Sequence, residues 1–134
     1  MRAPINIKNK LANLAKPALL GANFHLGRYK EVIWVIGSGR SGTTWVSDMI
    51  NYKQGFREVL EPCRPHVISE SGFLQLNQYE RASAKNDALT AFYANVFSGE
   101  FQHIDADSAA NKLWFNGLLV KDVFANLFAH NLKS

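Results

Sequence analysis

Val32-Ile33-Trp34-Val35-Ile36-Gly37-Ser38-Gly39-Arg40-Ser41-Gly42-Thr43-Thr44-Trp45 changes character twice in one short run. Its first five residues are apolar β-formers without a polar break, the pattern of a strand buried in a parallel sheet. Gly37 to Gly42 reads as a loop. Apolar residues then return at helical spacing over Thr43 to Tyr52, with Val46, Met49 and Ile50 on one face and Gln54-Gly55 ending the helix. This order aims the free N–H groups and positive dipole end of the helix at the loop. Three glycines let the backbone approach an anion. Arg40 adds a permanent charge with a fork suited to phosphate or sulfate, and Ser41, Thr43 and Thr44 add hydroxyl donors. An ordinary strand–helix connection would leave Arg40 and the hydroxyl cluster unexplained.

Downstream, Phe56 to Leu60 reads as a second short strand. Glu61-Pro62-Cys63-Arg64-Pro65 must be a loop, since two prolines break any ladder. Ser69 to Tyr79 is ambiguous. Ala84 to Phe97 predicts a helix with Leu89, Phe92, Tyr93, Val96 and Phe97 on its apolar stripe. Gly117 precedes a third strand, Leu118-Leu119-Val120, with Lys121 and Asp122 at its C-terminal end. Val123 to Leu132 predicts a helix with Asp122 as its N-cap. Strands alternating with helices predict an α/β fold, a parallel sheet flanked by helices.

The chain has 134 residues, a net charge of +4 and one cysteine, Cys63. One cysteine excludes an internal disulfide framework, and the scattered histidines lack metal-site spacing. The basic character belongs to residues 1–30, which hold six basic and no acidic residues. Residues 31–134 carry a slight negative balance, which argues against a nucleic-acid surface. The arm, residues 1–30, is too interrupted by Asn6, Lys8, Lys10, Asn13 and Lys16 for a secretory signal, and no run reaches the ~18 apolar residues of a membrane span. Ile7, Leu11, Leu14 and Ala18 fit a short amphipathic helix. It is read as a packed or frayed helix in preference to one in weak contact with a membrane surface. The expected compartment is the cytoplasm.

Two standard phosphate-binding patterns nearly fit the loop. GxxxxGK[ST] matches at Gly37, Gly42 and Thr44, but Thr43 stands where a lysine should reach the β/γ-phosphates, which argues against ATP or GTP. GxGxxG matches at Gly37, Gly39 and Gly42, with Glu61 about 20 residues on, yet three glycines alone are a weak signal. Arg40-Ser41-Gly42-Thr43-Thr44-Trp45 is more specific. After an apolar strand it resembles the 5′-phosphosulfate loop of sulfotransferases that use 3′-phosphoadenylyl sulfate (PAPS). Glu61-Pro62 is similar to the Glu-Pro after the second strand of carbohydrate-type and bacterial members. Leu118-Leu119-Val120-Lys121-Asp122 resembles their next strand, which ends in a lysine near the transferring group.

The resemblance implies a P-loop-type sheet in which Gly39, Arg40, Ser41, Gly42, Thr43 and Thr44 hold the donor's phosphosulfate. Trp45 would pack near the adenine, although a core aromatic explains it equally well. It also implies metal-free, in-line transfer of a sulfuryl group to the hydroxyl, or amine, of a small-molecule or carbohydrate acceptor. Arg40 and Lys121 would stabilise charge on the transferring oxygens, and Glu61 would take the acceptor proton, ahead of Asp122 and His66. The arginine and serine that bind the donor's 3′-phosphate in the family have no counterpart before Ser134. Residues 31–134 therefore read as the N-terminal part of an incomplete domain, with weak donor binding and no transfer expected. The other readings are a non-catalytic anion- or nucleotide-binding remnant, a P-loop kinase, and a nicotinamide oxidoreductase.

Overall fold

The computed structural model describes residues 29–75, 78–81, 83–108, 111, 115–123, 125 and 128, together with 14, 15, 17 and 18. Its elements are β1 (Glu31–Ile36), α1 (Thr43–Ile50), β2 (Phe56–Leu60), α2 (Asp87–Phe97) and β3 (Gly117–Asp122), with a 3-10 turn at Ser69–Ser71. The strands form a parallel sheet in the order β1-β3-β2. The α/β character expected from the alternation is present. Ile36 lies opposite Asp122 and Leu60 opposite Lys121, so all three C-terminal ends share one edge of the sheet.

The strand buried along its whole length is β3, in the middle. The expectation of a fully buried first strand needs correcting, because β1 lies at a sheet edge and is only half-buried. Gly117 opens β3 because a Cβ there would strike the Phe56 ring on one neighbour and the Glu31 carbonyl on the other. Side chains then alternate across the pleat. Leu118 and Val120 join Val59, Trp34 and Ile36 in a core closed by Leu89, Phe92, Tyr93 and Val96 of α2. Trp34 packs on Tyr93 and Phe97 with ring centroids 5.1 and 5.0 Å apart. Such pairs add about 0.5–1.5 kcal/mol each beyond area burial.

Helix α2 starts at Asp87, three residues later than the apolar spacing suggested, because Asn86 is its cap. The Asn86 side chain accepts from the Leu89 amide at 3.0 Å, and Asp87 adds a carboxylate to the first turn. Helix α1 ends at Ile50, short of Tyr52. Asn51 then clamps the turn into β2 by exchanging two hydrogen bonds with the Phe56 backbone. The larger correction concerns α1's faces. It buries Thr43 and Ser47 and leaves Val46, Met49 and Ile50 exposed.

Arg57 of β2 is fully buried. It meets Asp107 through two bonds, of 2.8 and 3.1 Å, donates to the carbonyls of Gly99 and Phe101, and reaches the Tyr29 hydroxyl at 3.4 Å. Burial opposes its charge, but the Asp107 carboxylate outweighs that and raises the guanidinium pKa above its ordinary value. The 99–107 segment is thereby pinned to the outer side of β2. There Leu60 N bonds to Ala106 O, while the Glu58 backbone bonds to Ser108 and Asn111.

Most of the helix expected over 123–132 lies outside the described residues, and so does most of the arm; Leu14, Ala15, Pro17 and Ala18 are helical. No helix among the described residues is long and apolar enough to cross a membrane.

Candidate functional site

The loop after β1 is built around a tight turn in which the Ser41 amide donates to the Ser38 carbonyl at 3.1 Å. Arg40, third in that turn, has a φ of 62°, a left-handed conformation usually left to glycine. Gly42, at φ 84°, is the N-cap of α1 and so offers no capping side chain. Gly37 has its own constraint, since a Cβ there would run into Ser41 Oγ and Thr43 Cγ2. Gly39 meets no such constraint.

The two helices treat their N-termini differently. Helix α2 is capped by Asn86 and carries Asp87; α1 has neither a side-chain cap nor an acid in its first turn. Among the described residues, nothing accepts from the amides of Gly39, Arg40, Gly42, Thr43, Thr44 or Trp45. Arg40 is exposed, with no hydrogen bond or ion pair to another described residue. An uncapped helix start beside an unpaired guanidinium suits an anion.

The other strand ends reach the same place. Lys121, nearly buried at the end of β3, donates from Nζ to Thr44 Oγ1 at 2.9 Å. Glu61, just beyond β2, places Oε1 3.8 Å from Lys121 Nζ and Oε2 3.7 Å from Arg64 Nε. Its φ is 48°, again left-handed. Lys121, Thr44 and Glu61 therefore meet at the C-terminal edge of the sheet, where open α/β sheets bind ligands. Thr43 is set apart, turned against the sheet, and Trp45 is 67% exposed. His66 is exposed, with no partner among the described residues. Asp122 points to the opposite face of β3, where its buried carboxylate accepts from the Tyr93 hydroxyl. That removes it from the convergence.

The reading of the sequence missed Arg64. Its Nη2 bonds to the Asp105 carbonyl at 2.9 Å, and its buried Nε has no hydrogen-bond partner beyond the ion pair with Glu61. The signal available was a basic residue three positions after Glu61, hidden between two prolines. A cleft of about 230 Å³ lies elsewhere, lined by Asp48, Asn51, Tyr52 and Glu58 among others. Burial, and next the Asp48 charge, push the Glu58 carboxyl above its ordinary range. Two carboxylates make that cleft a poor place for an anion.

No family model matches the chain, and neither a curated protein nor a solved structure matches it. The resemblance to sulfotransferases thus rests on the residues of the sequence alone.

Proposed function

We propose that this chain is a P-loop-type anion-binding domain of the sulfotransferase class, acting on the hydroxyl or amine of a small-molecule or carbohydrate acceptor. The observation that carries the reading is the hydrogen bond from Lys121 Nζ to Thr44 Oγ1, with Glu61 on the other side of the same ammonium. The helix-start lysine of nucleotide-hydrolase loops is replaced by Thr43, and a lysine arrives from the adjacent strand instead. The strand order, with β3 between β1 and β2, is compatible with a P-loop-type sheet.

PAPS would supply an activated sulfuryl group. Arg40, the free amides of residues 42–45 and Thr44 would hold its phosphosulfate, and the uncapped helix start fits that role. Lys121 would place a cation on the transferring oxygens without a covalent step. Glu61 would accept the acceptor proton, and Arg64, anchored on Asp105, would orient the carboxylate.

The test is calorimetric titration with adenosine 3′,5′-bisphosphate. Binding through the 5′-phosphate is expected. Arg40→Ala and Lys121→Met should each weaken it about tenfold or more, the effect of losing one hydrogen bond to a charged group. Equal binding by both variants would show that the site is misplaced. Binding without transfer of labelled sulfate would favour a non-catalytic anion module.

A further inference from the structure

We propose that the buried bond between the Tyr93 hydroxyl and the Asp122 carboxylate is a register lock, which turns Lys121 toward Thr44 and holds the loops after β1 and β2 in place. The two residues position the candidate site from the far face of the sheet, and the inference rests on the proposed reading of that site for the identity of its ligand. It starts from what the sequence of β3 leaves unspecified. Leu118, Leu119 and Val120 are apolar and buried on both faces of the sheet. A slip of one residue moves every side chain to the other face, and such a run does little to resist it, since apolar groups stay buried either way. Gly117 marks one end of the strand, crowded between Phe56 and Glu31. At the other end the register decides the chemistry, because it sets whether Lys121 or Asp122 faces Thr44.

Tyr93 supplies that decision. It lies within α2, is 1% exposed, and packs its ring on Trp34, Phe92 and Phe97. A phenylalanine would suit those neighbours, and a buried hydroxyl costs free energy unless it is bonded. Here it donates to Asp122, whose carboxylate is fully buried on the α2 face of β3. Burial, and next the Asp122 charge, hold the Tyr93 hydroxyl well above its ordinary pKa, so it keeps the proton that it donates. A slipped strand would turn Lys121 into the aromatic core and Asp122 toward Thr44 and Glu61. The first buries an ammonium among apolar rings, and the second sets one carboxylate against another; both are unfavourable.

The lock reaches the site through the backbone. The Asp122 carbonyl accepts from the amide of Gly37, where the loop after β1 begins, at 3.2 Å. The Lys121 carbonyl accepts from the Glu61 amide at 2.6 Å. Cys63, further along the loop after β2, is buried with its thiol beside the Tyr93 hydroxyl. The Lys121 ammonium, 2.9 Å from Thr44 Oγ1 and 3.8 Å from Glu61 Oε1, therefore stands on a strand end that is fixed from beneath. One Tyr–Asp pair thus ties together the three strand ends on which Arg40, Glu61 and Lys121 depend.

Amide hydrogen exchange of the full chain, read by NMR, tests the lock without any ligand. Tyr93→Phe keeps the ring and removes the hydroxyl. Protection of the Gly37 and Glu61 amides should then fall at least about tenfold further than that of the Leu119 and Val120 amides, the effect of losing one hydrogen bond to a charged group at that end of the strand. Val96→Ala, at another buried position of α2, thins the core without touching the pair and should lower all four amides together. Should Tyr93→Phe fail to fold, Tyr93→Phe with Asp122→Asn removes the stranded charge, leaves the bond missing and is expected to show the same selective loss. Titration with adenosine 3′,5′-bisphosphate is the second arm: Tyr93→Phe should weaken binding about tenfold and Val96→Ala should leave it unchanged. An unaltered chain that does not bind the bisphosphate overturns the reading of the site, and exchange then decides the lock by itself. Equal loss of protection at all four amides, or full bisphosphate affinity in Tyr93→Phe, overturns the lock.

Discussion

Replacing Arg57 with methionine keeps the length of the side chain and removes the charge and every donor. Asp107, with only 6% of its side chain exposed, would then hold a buried charge, its remaining recorded donor the His103 amide. Breaking a buried pair from one side costs about 3–5 kcal/mol. The Gly99 and Phe101 carbonyls also lose their donors. Each adds about 1–3 kcal/mol if water cannot reach it. A domain of this size has roughly 5–15 kcal/mol in hand, so Arg57→Met is expected to be unfolded or close to it. Urea titration followed by tryptophan fluorescence and circular dichroism measures the loss. The discriminating variant is Arg57→Met with Asp107→Leu. It removes the stranded charge but not the carbonyl deficit, and should recover at least about 2 kcal/mol relative to the single change. A single variant that loses under about 1 kcal/mol, or a double variant no better than the single, would refute the reasoning. The effect should extend to the candidate site, because Asp105, which anchors Arg64, lies on the segment that Arg57 holds.

Two further outcomes follow from buried titratable groups. Burial, and next the Asp122 carboxylate, push the Cys63 thiol up to about 12; the native protein should resist a thiol reagent at mildly alkaline pH and react at once when unfolded. Because the unfolded thiol ionises first, stability should also fall as pH climbs from about 9 through the folded value; rapid native labelling would contradict the placement. Glu58 has a raised carboxyl pKa, so its ionised form is disfavoured in the fold and its contribution is lost as pH rises through the folded value. Glu58→Gln should therefore raise the thermal midpoint near neutral pH, the gain vanishing below about pH 4, where both states are protonated; a lower midpoint for the variant at neutral pH would count against it.

The three strands were legible because each is a short apolar run bounded by glycine, proline or charge, and the stripe of α2 was legible because its period is helical. The side of α1 that meets the sheet was not. Periodicity identifies an apolar face and assumes that it is buried, whereas Thr43 and Ser47 make the contact because small side chains let the helix sit close. The convergence of Lys121 with Thr44 and Glu61 follows from strand ends in a parallel sheet, which the strand reading already contained. The Arg57–Asp107 pair was invisible because its partners lie 50 residues apart and neither belongs to a motif. Asp122 was read from its place before an apolar run, and most of the helix expected there lies outside the described residues; what the sequence did not show is that Asp122 ends a strand whose pleat turns its carboxylate into the core toward Tyr93 and away from the convergence.

Backbone strain gives a separate argument for the site. Among the described residues, three other than glycine have positive φ: Arg40, Gln54 and Glu61. Gln54 is in the turn after α1, its amide on the Asn51 carbonyl, where a left-handed residue is commonplace. Arg40 is third in a turn that demands a left-handed residue, a place glycine usually takes, and Glu61 follows β2 directly. Each costs on the order of 1 kcal/mol in a conformation that glycine adopts freely, and each stands just past the end of a parallel strand. Glycine at either position would relieve the strain, and it would also remove the guanidinium or the carboxylate. Strain retained at two charged residues on one edge, beside a helix start without a cap, is hard to ascribe to folding, since all three features lower stability. They have one purpose in common if that edge binds and orients an anion. Arg40→Gly separates the two accounts: it should raise the unfolding midpoint while weakening adenosine bisphosphate binding, whereas a purely structural turn would gain stability with no change in binding.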